Sequence, residues 1–447
     1  MSEYGILPKT PFDRIMEKII PGTFKPVSPP TSPLWPKKIS DDAFHGIAGE
    51  IVNSILPDTE ADPAALLINF LTSFGSVIGN RAHIRIGGDK HFMRLFSVLV
   101  GETSKGRKGT SWSYIKEIFC TIDPTWKARI QTGSSSGEGV TWAVRDPVEK
   151  TGTDKIGNNS QKTIIEEGVQ DKRLLLVESE FVAILKMLTR EGNTLSPIIR
   201  NAWDSGDLQI LTKNSPVKAT NTHISIIGHI TKAELLKYFS NVETANGFGN
   251  RFLWFCVSRS KLLPYGGDLD LETMSAPIAR LTESVNFAKN IDSIRLAEET
   301  RSSWENVYYR LSEGKPGIVA SMTGRAEPYV LRIAGIYALL DCSDQILSVH
   351  LKAACAVWQY AEDSVKYIFQ DMTGDSLADS ILSMLIESPQ GLSRTEISKR
   401  FQNHKSSYRL SEALKLLETL HQAQHVTNQT AGRPQEVWQL VKRSEKS

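Results

Sequence analysis

The residues that could do chemistry begin at Gly101, where an apolar strand enters a loop rich in glycine and lysine. The strand covers 95–100, the loop reads Gly101-Glu-Thr-Ser-Lys-Gly-Arg-Lys-Gly-Thr-Ser, and a helical pattern follows from Trp112 to Cys120. Glycines let backbone N–H groups turn towards one anion, a lysine adds a point charge, and a hydroxyl can reach Mg²⁺. This layout predicts a phosphate-binding loop at the start of a helix.

The spacing of this loop differs from the usual G-x4-G-K-[ST] form. That form would place the lysine at 107, whereas Arg107 stands there and Lys108 follows it. We expect Lys108 to contact the β and γ phosphates of ATP, with Thr110 or Ser111 holding Mg²⁺; a plain Gly/Lys turn is the alternative. The predicted nucleotide-binding residues are Gly101, Gly106, Arg107, Lys108, Gly109, Thr110, Ser111 and, from a later helix, Arg325.

Carboxylates follow the ends of other predicted strands. Glu178 comes directly after four apolar residues, where such ATPases place a metal-associated carboxylate, and Glu180 could polarise the attacking water. Glu138, after a second turn of small residues, is a rival for the base, and the sequence does not choose between Glu180 and Glu138. The alternative for Glu178 and Glu180 is the solvated end of a strand.

A histidine and an arginine follow the same pattern further along the chain. His229 ends a buried strand and could sense the γ-phosphate, although a lone histidine is also often structural. Arg251 is a candidate arginine finger that reaches the nucleotide of a neighbouring subunit; a salt-bridged surface arginine is the alternative. Arg325 and Arg332 could lie over the phosphates from the lid. Because ligands sit at the carboxyl ends of strands in doubly wound sheets, these groups predict one site.

Two further regions are candidates for binding DNA. Residues 206–220 form a hairpin pattern whose lysines, Lys213 and Lys218, could grip DNA phosphate in a ring's pore or simply protect a sheet edge. Residues 376–443 predict a winged helix: three helices, a capping box from Ser393 to Glu396, and a ribbon with a Gly-Arg-Pro tip. The residues expected to face phosphate there are Arg394, Lys399, Lys405, Arg409 and Arg433.

Composition sets limits on the class of protein. The 447 residues carry Lys+Arg 52 against Asp+Glu 50, a net charge of +2, so any basic surface must be local. No apolar run approaches the roughly 18 residues that span a bilayer, and the first residues lack the order of a signal peptide. The four cysteines are scattered without a C-x-x-C pair, which predicts reduced thiols, a cytoplasmic protein and no cysteine-based zinc site.

Strands separated by helices in the middle of the chain predict an α/β fold with a parallel sheet. We expect a RecA/AAA+-like P-loop ATPase core with helical flanking regions and a C-terminal winged helix. Residues 146–172 are polar without periodicity and predict a surface insertion. The expected organisation is a Pro-rich arm at 1–40, a helical N-terminal segment at 41–90, the ATPase core at 91–265, a helical lid region at 266–372 and the winged helix at 376–443.

These motifs together resemble one family, the primase-linked (YfjI-like) P-loop ATPases of phages, plasmids and integrated elements. The motifs are the Gly101–Ser111 loop, Ser136-Gly-Glu-Gly, Val177-Glu-Ser-Glu, Gly228-His229 and Gly249-Asn-Arg-Phe. The resemblance covers roughly residues 40–345. It implies a hexameric helicase-like ATPase that uses ATP and Mg²⁺, and the Gly-Arg-Lys-Gly-Thr loop looks like the family's own variant. Glu178 stands where aspartate is commoner, and no primase domain is present, so a separate primase is an expected partner.

The sequence therefore predicts an ATP-dependent, DNA-acting motor of a mobile element, assembled as a homo-oligomeric ring. An ATP-gated DNA-binding regulator or defence ATPase with slow hydrolysis is the alternative, and a structural module with a degenerate loop is the third hypothesis.

Overall fold

A computed structural model describes residues 35–102, 106–153, 160–211, 217–239, 243, 246–315, 317–369, 372–428 and 435–441. Nearly all of the predicted Pro-rich arm, together with Lys213 and Arg433, lies outside these ranges. The helices are α1 (Gly46–Ile55), α2 (Pro63–Ile78), α3 (Lys108–Ile122), α4 (Gly137–Trp142), α5 (Val182–Leu188), α6 (Leu195–Asp204), α7 (Lys232–Tyr238), α8 (Ser275–Asn290), α9 (Arg301–Ser312), α10 (Gly317–Thr323), α11 (Ala326–Leu340), α12 (Ser348–Ile368), α13 (Ser376–Ile386), α14 (Arg394–Arg400) and α15 (Ser407–Thr419). The strands are β1 (His83–Ile86), β2 (Asp89–Phe92), β3 (Phe96–Val100), β4 (Ile130–Gln131), β5 (Val148–Thr153), β6 (Ser160–Glu166), β7 (Arg173–Glu178), β8 (Leu208–Ile210), β9 (Val217–Ala219), β10 (His223–Ile230), β11 (Leu253–Cys256), β12 (Ser293–Leu296), β13 (Gln345–Ile346), β14 (Leu392–Ser393), β15 (Ala423–Asn428) and β16 (Gln435–Leu440).

A five-stranded parallel sheet forms the centre of the molecule. Its strand order is β11-β3-β10-β7-β4, and every neighbouring pair is parallel. All residues of β3, β10 and β11 are buried, because helices cover both faces of a parallel sheet and leave no solvated side. The predicted α/β fold with a parallel sheet is confirmed.

The order of the strands places a crevice between β3 and β10. The chain leaves β3 for the edge strand β4, whereas it leaves β10 for β11 on the other side of β3. Because such crossovers are right-handed, the two connections run over opposite faces of the sheet. Accordingly, α3 packs against α2 and α7 packs against α5. Ligands of open α/β sheets bind at such a point, outside the carboxyl ends of the strands.

The structure contains strands that the sequence pattern did not predict. Trp126–Arg129 forms a 3-10 turn, and Ile130–Gln131 after it pairs with β7. Segment 146–172, expected as a surface insertion, contains an antiparallel hairpin, β5 with β6. The stretch after 264 is not wholly helical, since β12 and β13 join β1 and β2 in a second sheet of order β13-β12-β1-β2. Each of these strands pairs with a partner that the local pattern does not reveal.

The C-terminal residues form a separate cluster of buried side chains. Helices α13, α14 and α15 pack against a three-stranded antiparallel sheet of order β14-β16-β15. This core comprises buried residues between Leu377 and Trp438, whereas the main core runs from Ile39 to Phe369. The capping box predicted from Ser393 to Glu396 is present. In the described ranges, no helix is both long and apolar enough to cross a membrane.

A buried ion pair joins the far end of α3 to the sheet. The carboxylate of Asp123, 9% exposed, accepts hydrogen bonds of 2.7 Å from Arg173, which begins β7, and from Lys289 of α8. Burial alone would raise the pKa of Asp123, but the hydrogen bonds and charges of Arg173 and Lys289 outweigh it and hold that pKa well below its usual range. Ionised Asp123 therefore stabilises the folded chain.

Asp123→Asn is expected to lower the free energy of unfolding by about 2 kcal/mol, since it removes charge-assisted bonds to two cations. Because the folded pKa is depressed, the contribution of Asp123 is complete above the ordinary aspartate value of about 3.9 and is lost as the pH falls below it. Urea unfolding at pH 7 measures the change. Asp292→Asn, which removes an exposed pair with Arg81, is the control and should leave the free energy of unfolding nearly unchanged. Equal losses would contradict the role of Asp123.

Candidate nucleotide site

Lys108 lies at the carboxyl end of β3, at the first position of α3. Its ammonium donates hydrogen bonds to the carbonyl oxygens of Gly101 (3.0 Å) and Glu102 (2.9 Å), so the side chain turns back towards the first residues of the loop. Burial lowers the pKa of Lys108, and the charge of Glu234 partly opposes that effect. Lys108 is thus a half-buried cation, held by neutral oxygens, beside the crevice between β3 and β10.

Arg107 has a different position. It precedes α3 with left-handed backbone angles, φ 48° and ψ 29°, which cost a non-glycine residue about 1 kcal/mol. Its Nε donates to Glu60 at 2.5 Å, and Glu60 also accepts from the backbone N–H of Leu263 at 2.8 Å. Arg107 therefore ties the loop to the residues before α2, and Glu60 is a participant that the sequence analysis missed.

Two glycines of the loop differ in the space around them. A Cβ on Gly101 would come within 2.4 Å of the carbonyl oxygen of Val257, because β3 and the chain after β11 approach closely there. A Cβ on Gly109 would meet no atom within 4 Å. Gly101 is needed for backbone packing, whereas Gly109 leaves open space at the start of α3.

The two candidate Mg²⁺ hydroxyls also differ. Ser111 is fully buried; its Oγ donates to the carbonyl oxygen of Lys108 at 2.7 Å and accepts from Asn69 at 3.1 Å. The hydroxyl of Thr110 is half-buried and has no hydrogen-bond partner within the described ranges. Of the two, Thr110 has the hydroxyl that remains free for a ligand.

His229 lies at the carboxyl end of β10, next to β3 in the sheet. Its side chain is buried, with the residue 4% exposed, and its Nε2 has no hydrogen-bond partner among the described residues. Burial, followed by the positive charge of Lys108, lowers the pKa of His229 to about 4, so the imidazole is neutral at pH 7. An unpartnered buried nitrogen close to a lysine fits a site for a polar ligand.

The acidic candidates are arranged around one loop. Glu178 is 6% exposed, and its two carboxylate oxygens accept the backbone N–H groups of Gly133 (3.2 Å) and Ser134 (2.8 Å). Glu138, exposed on α4 just beyond that loop, accepts from the hydroxyl of Thr194 at 3.0 Å. Glu180 is exposed after β7. Glu178 therefore holds the segment that leads to Glu138, and the choice between Glu138 and Glu180 as base stays open.

Arg251 and Arg325 lie at the opposite edge of the sheet from this loop. Arg251 lies two residues before β11, is 8% exposed, and donates a hydrogen bond to Asp204 at 2.6 Å; Arg325 approaches the same carboxylate at 3.3 Å. A four-residue strand separates the two edges by roughly 13 Å. The expectation that Arg325 covers the phosphates of its own chain does not fit this position. Either arginine could meet only the nucleotide of a neighbouring copy.

An aromatic cavity of about 540 Å³ opens beside the loop. Its lining includes Gly101, Lys232 and Cys256, with the rings of Trp35 and Tyr367 edge to face at 5.1 Å between centroids. The ammonium of Lys232 lies 4.2 Å from the Tyr367 ring centroid. Aromatic side chains beside the Gly101–Ser111 loop could contact a purine base. The sequence analysis missed these aromatic residues because they are distant from the loop along the chain.

Four features thus meet at the carboxyl edge of the sheet: the Lys108 ammonium, the Thr110 hydroxyl, the His229 nitrogen and the aromatic cavity. No family model matches this chain, and no curated protein sequence matches it. A cation, a free hydroxyl and a neutral imidazole in one crevice provide what a phosphorylated ligand with a bound Mg²⁺ requires.

The candidate DNA-binding residues fall into two groups. Lys218, Lys399 and Lys405 are exposed. Arg409 pairs with Asp375 at 2.7 Å and with Glu412 at 3.0 Å. The guanidinium of Arg394 donates to the hydroxyls and backbone of two serines that begin α15. The exposed lysines are available to phosphate, whereas Arg394 holds two helices together and Arg409 is already neutralised.

The side chains of His45, Asp341 and His350 lie together, and residues of these types often bind metal ions. Here, however, a histidine nitrogen that faces the carboxylate carries a proton and is not free to bind a metal. Asp341 Oδ2 lies 2.7 Å from His45 Nε2 and 3.1 Å from His350 Nε2. The Nδ1 of His350 accepts the backbone N–H of Leu347 at 3.0 Å, so its Nε2 carries the proton and donates to Asp341. Burial would raise the pKa of Asp341, but these histidines lower it. The cluster is a hydrogen-bonded link between α1, α11 and α12.

Proposed function

We propose that this chain is an ATP hydrolase that acts on DNA, a helicase-like motor built as a ring of identical subunits. The observation that supports it most is that Lys108 and the unpartnered nitrogen of His229 both lie at the carboxyl ends of two neighbouring strands, at the switch point of the sheet. It is a cytoplasmic protein in this proposal, and a separate primase would be its partner in replication. The likeness of its motifs to primase-linked P-loop ATPases supports the same function.

In this proposal each side chain at the crevice has one task. Lys108 would move from the loop carbonyls to the β and γ phosphates, and Thr110 would hold Mg²⁺, which neutralises the charge that develops on the phosphates. Neutral His229 would hydrogen-bond the γ-phosphate or the attacking water. Glu178 keeps the loop before α4 in place, so that Glu138 or, alternatively, Glu180 can orient water.

The test compares ATP hydrolysis and strand displacement with and without DNA in the full-length protein. The motor predicts that single-stranded DNA stimulates hydrolysis and that a labelled strand is displaced from a forked duplex only when ATP and Mg²⁺ are present. A non-hydrolysable ATP analogue is the control for binding without turnover. Stimulation without any displacement would reject the motor.

One observation favours the second function, an ATP-gated DNA-binding regulator with slow hydrolysis. Both oxygens of Glu178 are engaged by backbone N–H groups, and Glu138 is bonded to Thr194. With these carboxylates occupied, hydrolysis would be slow and bound ATP would act through assembly. This function predicts that ATP changes DNA affinity while turnover stays low and duplexes remain intact.

DNA binding should depend on the exposed lysines of the C-terminal unit, which we propose to be a winged helix. Lys399→Ala and Lys405→Ala are each expected to weaken binding and to reduce the slope of log affinity against log salt by about one, the effect of one lost phosphate contact. Arg409→Ala is the matched control, because Asp375 and Glu412 already neutralise that arginine. Fluorescence anisotropy over a salt series measures the slopes. A larger loss with Arg409→Ala than with the lysine variants would contradict this surface.

A further inference from the structure

A second cavity, of about 590 Å³, lies at the amino-terminal edge of the parallel sheet. Its walls are the β1–β2 hairpin, the end of α6 and the start of α11. The cations on these walls are Lys90, Arg325 and Arg332, and His91 lies among them. The phosphate loop is at the other edge of the same sheet, so this cavity is separate from the candidate nucleotide site of its own chain.

The floor of this cavity holds buried guanidinium groups without a carboxylate of their own. Arg332 is 1% exposed and donates to the carbonyl oxygens of Arg94 (3.2 Å) and Trp203 (3.1 Å). Arg94, fully buried behind it, donates to three further carbonyl oxygens. The Nε of each has no partner among the described residues, and neither forms an ion pair there. A buried charge in proteins is normally compensated by an opposite charge.

The acidic groups nearby compensate that charge only in part: Asp204 and Asp207 act on the buried arginines through their charge, and neither forms an ion pair with Arg94 or Arg332 among the described residues. Asp204 is shared, with one oxygen near Arg251 and the other near Arg325. Asp207, also on the wall, accepts the backbone N–H of Asn221 at 2.9 Å. Asp89 is exposed at the rim. The cluster therefore contains five cations, Lys90, Arg94, Arg251, Arg325 and Arg332, against three carboxylates.

The contacts of Trp203 and the pKa of His91 are consistent with the same excess of positive charge. The Trp203 ring centroid lies 3.8 Å from the guanidinium carbon of Arg332 and 4.8 Å from that of Arg325, a position in which the ring face stabilises cations. Burial and then the charge of Arg332 lower the pKa of His91 to about 4, so its ring is neutral at pH 7. Burial, followed by the charge of Arg94, likewise lowers the pKa of Arg332 to about 9, and the charge of Asp204 opposes this effect only in part.

We propose that this cavity binds a small phosphate-class anion, inorganic phosphate or pyrophosphate or the phosphate end of a free nucleotide. Lys90 and Arg325 would contact the anion directly from opposite walls, and Arg332 would supply charge from the floor. A polar, concave site with convergent cations suits a compact polyanion. The site goes beyond the proposed ATPase function, because it requires neither an occupied phosphate loop nor a second subunit.

The experiment is isothermal titration calorimetry with pyrophosphate at constant ionic strength, using the full-length protein. The site predicts binding that persists in Lys108→Ala, which disables the phosphate loop, and that weakens by about tenfold or more in Lys90→Gln and Arg325→Gln. Arg295→Gln, a lost cation on an exposed surface, is the control and should bind as the wild type does. Thermal unfolding shows whether each variant is folded.

The outcomes separate this site from the proposed function. If the phosphate loop also binds pyrophosphate, the wild type shows two sites, whereas Lys108→Ala and Arg325→Gln each show one. If the loop does not bind pyrophosphate, the wild type shows one site, and only the cavity variants lose it. Binding that disappears in Lys108→Ala and survives in folded Lys90→Gln and Arg325→Gln overturns the inference. The inference is also overturned if the wild type does not bind pyrophosphate, or if the only binding seen is that of ATP between associated copies of the chain.

Discussion

Lys108→Ala is expected to reduce ATP hydrolysis by about 10² to 10³-fold, the loss typical when one preorganised group that stabilises developing charge is removed. The reason is that Lys108 is a half-buried cation at the carboxyl end of β3, and its positive charge acts on the neutral imidazole of His229 at the end of the neighbouring strand. A steady-state phosphate-release assay measures the rate. The folded state should survive, because Lys108 bonds only loop carbonyls that water can satisfy after truncation.

Lys116→Ala is the matched control, since it removes a lysine from the exposed face of the same helix. Its hydrolysis rate should equal that of the wild type. If Lys108→Ala and the wild type hydrolyse ATP at equal rates, the loop is not a phosphate site and the motor is rejected. We expect Arg107→Ala to lower the stability of the folded chain, because it loses the contact with Glu60. It should not remove the positive charge that contacts phosphate.

Arg251→Ala is expected to lower DNA-stimulated hydrolysis by about 10³-fold or more, if the ring places this arginine against the nucleotide of the next subunit. Its own phosphate loop is at the other edge of the sheet, so an effect on hydrolysis must act between copies. Reaching a neighbour requires the guanidinium to leave Asp204, to which Arg325 also pairs. Hydrolysis at subunit concentrations above and below assembly measures the effect.

A mixing experiment separates action between subunits from simple unfolding. Arg251→Ala and Lys108→Ala are each inactive in this account, yet a mixed ring contains interfaces with an intact Lys108 on one side and an intact Arg251 on the other. Mixing should therefore recover part of the activity. Inactive mixtures at every ratio, with both variants folded and assembled, would place Arg251 outside the catalytic machinery.

The central sheet could be predicted from the sequence because buried parallel strands leave an obvious pattern. The runs that became β3, β7 and β10 are mostly apolar and have Gly101, Glu178 and His229 at or near their carboxyl ends, so the strands and their candidate site residues were both visible. The capping box from Ser393 to Glu396 was also predicted and is present. These features depend on residues that are close together in the sequence, and the sequence therefore predicts them.

The remaining features depend on contacts between distant segments. Strand β12 exists because β1, some two hundred residues earlier, pairs with it. Glu60 and Tyr367 reach the phosphate loop only through the packing of α2 and α12. The sequence likewise suggested that Arg325 lies above its own loop, although Asp204 and Trp203 hold it at the other edge of the sheet. No local pattern encodes such pairings.

Calorimetric titration of the full-length protein with ATP and Mg²⁺ shows whether the Gly101–Ser111 loop binds a nucleotide. We expect one ATP bound at this loop in each chain, no binding there in folded Lys108→Ala, and unchanged binding in Lys116→Ala. Absence of ATP binding by the wild type, or equal affinity in Lys108→Ala, would contradict it.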